Sequence, residues 1–363
     1  MLLPLSMLIA ASTWGADAQA EDELNVLFLN PGFETGFWGS VSDTMRAAAE
    51  DLRINLEIMD ADRDRIRMLD QAQTAIGRET LPDYVVVVNE LQQGPQLAQM
   101  FEDAGIPYLF LLNRLSDEQL DALQSNGGLD HYLGSISPRN FDTGYMTARA
   151  LIEATRAERP EGEIRVLALL GDTATPAAVE REAGMRQAVS EYPGVEIARA
   201  FSVDWLFDRA KSAVALFLAR ESTDIIWTAS GPIAFGAMEA VREANLEPGR
   251  DIRFAGVGWF PNALDAVAEE TMTMTYGGYF ISGAWSMVML RDIHEGVGME
   301  DGGEVEAPLT GVDQSNIGDF QTYVRNVEWG VVDFASFLRT NTQAPTYDFS
   351  VDALFREIVA GEG

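Results

Sequence analysis

The sequence predicts an α/β protein of two similar lobes, each a parallel sheet flanked by helices. Three observations point there. The chain has 363 residues, more than one core usually organises at about 100–200 residues per domain. Short runs that are apolar throughout alternate with helical stretches, as parallel strands covered on both faces require. The alternation then stops and restarts halfway along, with no long linker between the two series.

The first series holds "NVLFL" (25–29), "NLEIMD" (55–60), "YVVVV" (84–88), "PYLFLL" (107–112) and "HYLGSI" (131–136), each a β-rich apolar run. Helices such as 41–52 and 95–104 separate them. A helix over 141–156 opens the second series. "IRVLALL" (164–170), "EIARAFS" (196–202), "DIIWTAS" (224–230), "RFAGVGW" (253–259) and "TMTMTY" (271–276) follow, with helices near 177–192, 208–220 and 232–244. After Val327 the segment "EWGVVDFASFLRTNTQAPTYDFSVDALFREIVA" is expected to add a strand and a helix across the back of one lobe.

Composition narrows the function. The formal net charge is −32, and Lys211 is the one lysine among 25 basic residues, a balance that suits a protein kept hydrated at high salt. Such a charge repels nucleic acid and anionic membrane surfaces. Residues 1–20 combine an apolar stretch with Ala18-Gln19-Ala20, the small-x-small pattern of a signal-peptidase site, so the expectation is a signal peptide, a mature chain from Glu21 and a periplasmic location. With no cysteine there is neither a disulfide nor a lipid-anchoring thiol after that site. No later segment reaches the ~18 uninterrupted apolar residues of a membrane helix.

In open parallel sheets, ligands sit beyond the carboxyl ends of the strands. Those places in the first series hold Phe33, Phe37 and Trp38, then Asn89-Glu90, Asn113-Arg114, and Ser137, Arg139 and Asn140. In the second they hold Asp172 with Arg181, Asp204-Trp205 with Phe207, Ser230-Gly231, Trp259-Phe260 and Tyr276. Aromatics interleaved with Arg and Asn suit a sugar-like molecule: its C–H faces pack on rings, and its hydroxyl edges need planar donors and acceptors.

At these residues the chain resembles type I periplasmic solute-binding proteins of the ribose- and galactose-binding kind, from the mature start to about Val327. "GFWGSVSDTMRAAAEDL" is similar to their first loop and helix, where paired aromatics stack on the ligand. "GIPYLFLLNR" resembles the strand that ends in two polar contacts, here Asn113 and Arg114. In "GDTATPAAVEREAGMRQAV" the corresponding arginine is Arg181, four residues before Met185. "DWLFDRAKSAVALFL" supplies Trp205 or Phe207, and "IIWTASGPIAFGAMEAV" resembles the next strand, loop and helix. The chain departs from the pentose and hexose binders in carrying Ser230-Gly231 for Asn-Asp, Trp259-Phe260 for Phe-Asp, and Tyr276-Gly277 for a glutamine or arginine. Trp38, Asn113, Arg181, Ser230 and Trp259 together look nearer to the autoinducer-2 receptor branch, which has a further arginine near position 277.

The resemblance implies two Rossmann-like lobes joined by a three-crossover hinge near Ser137, Tyr276 and Gly311. The divisions expected are 1–20 signal peptide, 21–137 plus 278–310 first lobe, 138–277 plus 311–330 second lobe, and 331–363 an extension packed on a lobe. Ligand contacts would come from Phe37, Trp38, Asn113, Arg114, Asn140, Arg181, Trp205, Phe207, Ser230, Trp259 and Tyr276. The implied function is capture of a small sugar-like or polyol solute by a monomer without cofactor, and delivery to an ABC permease in the inner membrane. The alternative partner is a membrane sensor kinase.

Enzymatic readings find little footing. Gly256-Val257-Gly258-Trp259-Phe260-Pro261 fails the dinucleotide fingerprint at its last place and opens onto a bulky ring. His131 and His294 have no cysteine or histidine neighbours at metal spacing. Ser230 lacks the Gly-x-Ser-x-Gly elbow, and Asp60 and Asp62 read as solvated loop acids. A DNA-binding regulator would need a helix-turn-helix where the signal-like segment stands.

Overall fold

A computed structural model describes residues 24–299 and 303–361; the expected signal peptide lies outside the described residues. Ten strands follow the two series: β1 (Leu24–Asn30), β2 (Ile54–Asp60), β3 (Tyr84–Val87), β4 (Tyr108–Leu111) and β5 (Tyr132–Ser137), then β6 (Ile164–Leu170), β7 (Val195–Ser202), β8 (Ile225–Thr228), β9 (Arg253–Val257) and β10 (Met274–Gly277). Two short strands, β11 (Glu304–Glu306) and β12 (Thr310–Val312), escape the sequence pattern because three residues carry no readable alternation.

The strands form two six-stranded sheets with matching order, β11-β5-β4-β3-β1-β2 and β12-β10-β9-β8-β6-β7. Pairing is parallel except between β10 and β12. The continuous apolar run of β1 has its cause here. Val26 and Phe28 enter one core while Leu27 and Leu29 enter another on the opposite face, so all four are buried. Strand order reverses at β1/β3 and at β6/β8, which opens a crevice beyond the strand ends in each lobe.

The chain passes between the sheets three times: after β5, after β10, and between β11 and β12. The helix that follows the second crossing, Ser282–His294, packs on helix Gly36–Asp51 of the first lobe. β11 is held at the first sheet's edge through Glu304, which accepts from the Tyr132 hydroxyl at 2.7 Å and from Ser135 Oγ at 2.6 Å.

The segment after Val327 differs from expectation. Among the described residues it forms 3-10 turns and helices, ending in helix Val351–Gly361, and no strand. Its apolar residues at 334, 337 and 338 are spaced for a turn rather than a strand, and Phe334 and Phe337 reach Trp285. That ring lies 4.7 Å from Phe337 and stacks on Phe349 at 4.5 Å. Buried Asp292 caps the short helix Arg339–Thr342, accepting from the Arg339 and Thr340 amides at 2.8 and 3.0 Å. The segment also rests on helix Ile317–Tyr323 through Phe355 and Phe320, 5.2 Å apart. Beyond that helix, Arg325 grips Asp265 of the second lobe with two bonds of 2.7 Å.

Candidate functional site

A cavity of about 260 Å³ lies between the two sheets, lined from both sides by residues just past the strand ends. Clefts for drug-sized ligands run ~300–1,000 Å³, so this one has room for about one sugar ring. Two hydrogen bonds already cross the cleft: Gln92 Nε2 donates to the Ala174 carbonyl at 2.6 Å, and the Ala177 amide donates to Asn113 Oδ1 at 3.3 Å.

The second lobe builds its wall around Arg181. Helices Asn140–Glu158 and Pro176–Glu191 cross at Gly144 and Gly184, where added Cβ atoms would meet the Arg181 carbonyl at 1.9 Å and the Phe141 carbonyl at 2.0 Å. Only glycine permits that approach, and it sets Arg181 beside Asn140. Arg181, 7% exposed, donates from Nε to Asn140 Oδ1 at 3.1 Å and from Nη1 to the Ala229 carbonyl at 2.8 Å. Its guanidinium lies 4.4 Å from the Tyr279 ring and 5.7 Å from that of Trp205. The Trp205 indole donates to Asp172 at 2.6 Å. Burial opposes ionisation of Asp172, but hydrogen bonds from the Thr175 side chain and amide, the Ala174 amide and Trp205 outweigh it and hold the carboxyl below its ordinary range.

The first lobe brings rings and two loops. Phe37 and Trp38 stand in the first turn of helix Gly36–Asp51 rather than in a loop before it, with ring centroids 5.2 Å apart and edge to face. Phe33, 49% exposed, extends this apolar wall to the cavity mouth. Arg63 comes from the loop after β2 and Glu90 from the loop after β3. Burial pushes the Glu90 carboxyl up to about 7, against the pull of the Arg63 charge and with the push of Asp172.

Seven of the eleven expected ligand contacts line the cavity: Phe37, Trp38, Asn113, Asn140, Arg181, Trp205 and Ser230. The Ser230 hydroxyl is buried without a hydrogen-bond partner among the described residues, so it is open to a ligand. Four stand elsewhere. Arg114 turns to Asp117 and Glu304. Phe207 starts the helix Phe207–Leu218, and its neighbour Leu206 lines the cavity instead. Trp259 is buried in the core near the crossings, 4.9 Å from Phe320, and donates to the Thr310 carbonyl at 3.1 Å. Phe260 takes the cavity position. Tyr276 pairs with Gly311 in the sheet, and Tyr279 faces the cavity in its place. Glu90 and Phe260, named at strand ends but not among the expected contacts, also line it, as do Arg63, Thr175 and Tyr279, which the sequence reading did not name.

Comparison with known proteins agrees with this geometry. The family model described as a periplasmic binding protein domain matches residues 26–296. The galactofuranose-binding protein YtfQ of Escherichia coli (strain K12) is 22% identical over 250 residues, 68% of this chain and 74% of that protein. The crystal structure of a periplasmic sugar-binding protein from Pseudomonas fluorescens superposes with a TM-score of 0.83 at 30% identity, covering 92% of this chain and 99% of that one. An ABC transporter periplasmic solute-binding protein from Actinobacillus succinogenes 130z, with bound D-allose, gives 0.70 at 21% identity over 82% and 99% of the two chains. With a family model spanning well over half its length, a two-sheet fold and a cleft between them, the chain belongs to the periplasmic binding protein family, whose members bind solutes rather than transform them.

Proposed function

We propose that this protein captures one neutral sugar or polyol in the cleft between its lobes in the periplasm and delivers it, as a monomer, to an ABC importer. The observation that carries the reading is the caged Arg181, fixed by Asn140, Ala229 and two rings, facing Phe37 and Trp38 across a space of one sugar ring. Rings cover the C–H faces of the sugar, while Arg181, Asn113 and the open Ser230 hydroxyl meet its oxygens. The YtfQ relative and the D-allose complex support the same ligand class.

Binding draws together the first lobe, 21–137 with 278–310, and the second, 138–277 with 311–330, by bending at the three crossings. The two hydrogen bonds across the cleft strengthen as solvent leaves, and the altered outer surface is what the permease reads.

A thermal-shift screen tests this with pentoses, hexoses, polyols, sugar acids and autoinducer-2. A ligand at a hundredfold excess over its Kd adds about 2.7 kcal/mol and raises the midpoint by several degrees. A response confined to neutral sugars or polyols is the expected result. One confined to autoinducer-2 would favour delivery to a sensor kinase, and turnover of any ligand would overturn the reading.

A further inference from the structure

We propose that Arg63 and Glu90 act together as a selector for two neighbouring hydroxyls on a neutral sugar ring. The inference rests on the sugar-binding reading and adds to it the chemistry that the first lobe recognises.

The starting point is a pair of opposite charges left unused. Both residues line the cavity, and both border the small recess beneath it with Pro31 and Ala61. Glu90 is only 9% exposed. Among the described residues, neither its carboxyl nor the Arg63 guanidinium has a hydrogen-bond partner, and the two form no ion pair with each other. The nearby charged groups of the second lobe are committed, Arg181 to Asn140 and Ala229, and Asp172 to Thr175 and Trp205. A buried acid and a cation that stand close without pairing leave an acceptor and several donors for whatever enters.

The loops that present them are held in costly shapes. Asp62 and Arg63 take φ values of 53° and 62°, and Leu91 and Gln92 take 47° and 63°, left-handed backbone at four non-glycine positions. Three backbone bonds pin the first loop, from Ala61, Asp62 and Arg63 to the carbonyls of Asn30, Gly32 and Pro31 at 2.8–2.9 Å. The second is fixed by Asn89, whose amide group donates to the Arg114 carbonyl at 3.0 Å while its oxygen accepts from the Gly94 amide at 2.8 Å. Rigid loops with uncommitted tips are the pattern of a preorganised contact.

The pairing of signs sets the specificity. A ligand ammonium drawn to Glu90 would stand against Arg63, and a ligand carboxylate drawn to Arg63 would stand against Glu90. Two adjacent hydroxyls satisfy both at once: one donates to the Glu90 carboxylate and its neighbour accepts from the Arg63 guanidinium. No net charge enters the cavity.

The test is isothermal titration at pH 8, where the Glu90 carboxyl is ionised, of the wild-type protein, E90Q, R63Q and the double variant against D-galactose, L-arabinose, D-allose, myo-inositol, galacturonate and galactosamine. Wild type is expected to bind at least one of the four neutral compounds and to bind both charged ones at least tenfold more weakly. E90Q and R63Q should each weaken the bound neutral compound at least tenfold, with the double variant losing less than the product of the two, as groups serving one contact do. E90D, which keeps the charge but draws it back from the cavity, should also weaken binding at least tenfold and decides the matter if E90Q does not fold. Silence of wild type toward all six compounds overturns the sugar-binding reading and this inference with it. Binding that the folded variants leave within twofold, or galacturonate or galactosamine bound as tightly as the neutral compounds, overturns the inference alone.

Discussion

The two lobes share a strand order but divide the work differently. In the second lobe most polar groups of the cavity wall are tied by hydrogen bonds, Arg181 to Asn140 and Asp172 to Thr175 and Trp205, and the Ser230 hydroxyl is left open to a ligand. The first lobe presents rings from the start of one helix and two charged side chains, Arg63 and Glu90, without hydrogen-bond partners among the described residues. It also depends on a late segment of chain, since residues 332–358 complete its core around Trp285. A preorganised wall fixes where a ligand sits, and a wall of uncommitted groups decides which ligand stays.

The largest expected effect concerns that late segment. Trp285→Ala removes the ring against which Phe334, Phe337 and Phe349 pack, and should cost about 3–5 kcal/mol in urea denaturation. A cost below about 1 kcal/mol would mean that the first lobe stands without its extension.

Next comes Glu90→Gln, which should raise stability at alkaline pH. In the native protein this carboxyl titrates near 7 rather than near 4.5, so between those values it holds a proton that the unfolded chain has released. The stability it allows is full below about 4.5 and falls as pH rises through 7, with a deficit of about 3 kcal/mol above that. The variant should therefore gain over wild type at pH 8 and show no such gain at pH 4. Parallel stability curves for the two proteins would place the Glu90 carboxyl in solvent and erase the contrast between the lobes.

Arg181→Ala tests the second-lobe wall. Loss of a charge-assisted contact should weaken sugar binding by about 1.5–3 kcal/mol in calorimetry, and unchanged affinity would remove Arg181 from the site. The smallest effect belongs to Arg325→Ala, whose ion pair with Asp265 is open to solvent, so its loss should leave the urea midpoint close to that of wild type. A clear drop in the midpoint would show that the stretch leading into the late segment depends on its anchor in the second lobe.

Much of the site was legible because strand ends in a parallel sheet converge on the ligand. That rule reached Trp38, Asn113, Asn140, Arg181, Trp205 and Ser230, all of which line the cavity. It could not separate neighbours. Asn113 faces the cleft while Arg114 turns to Glu304, and Phe260 faces it while Trp259 enters the core. Adjacent side chains at a strand end point to opposite sides, and sequence alone does not say which side is the cleft. Arg63 was hidden in "DADRDR", where acids and arginines read as a solvated loop.

What the sequence by itself determined is the periodic part of this protein: ten strands, two series, acid excess and the residue types at the strand ends. These follow from local pattern, which each segment carries alone. Tertiary structure decided which of two adjacent residues meets the cavity, that Gly144 and Gly184 bring Arg181 to Asn140, and that Glu90 is buried near Arg63. Those are distances between segments far apart in the chain, and only packing sets them.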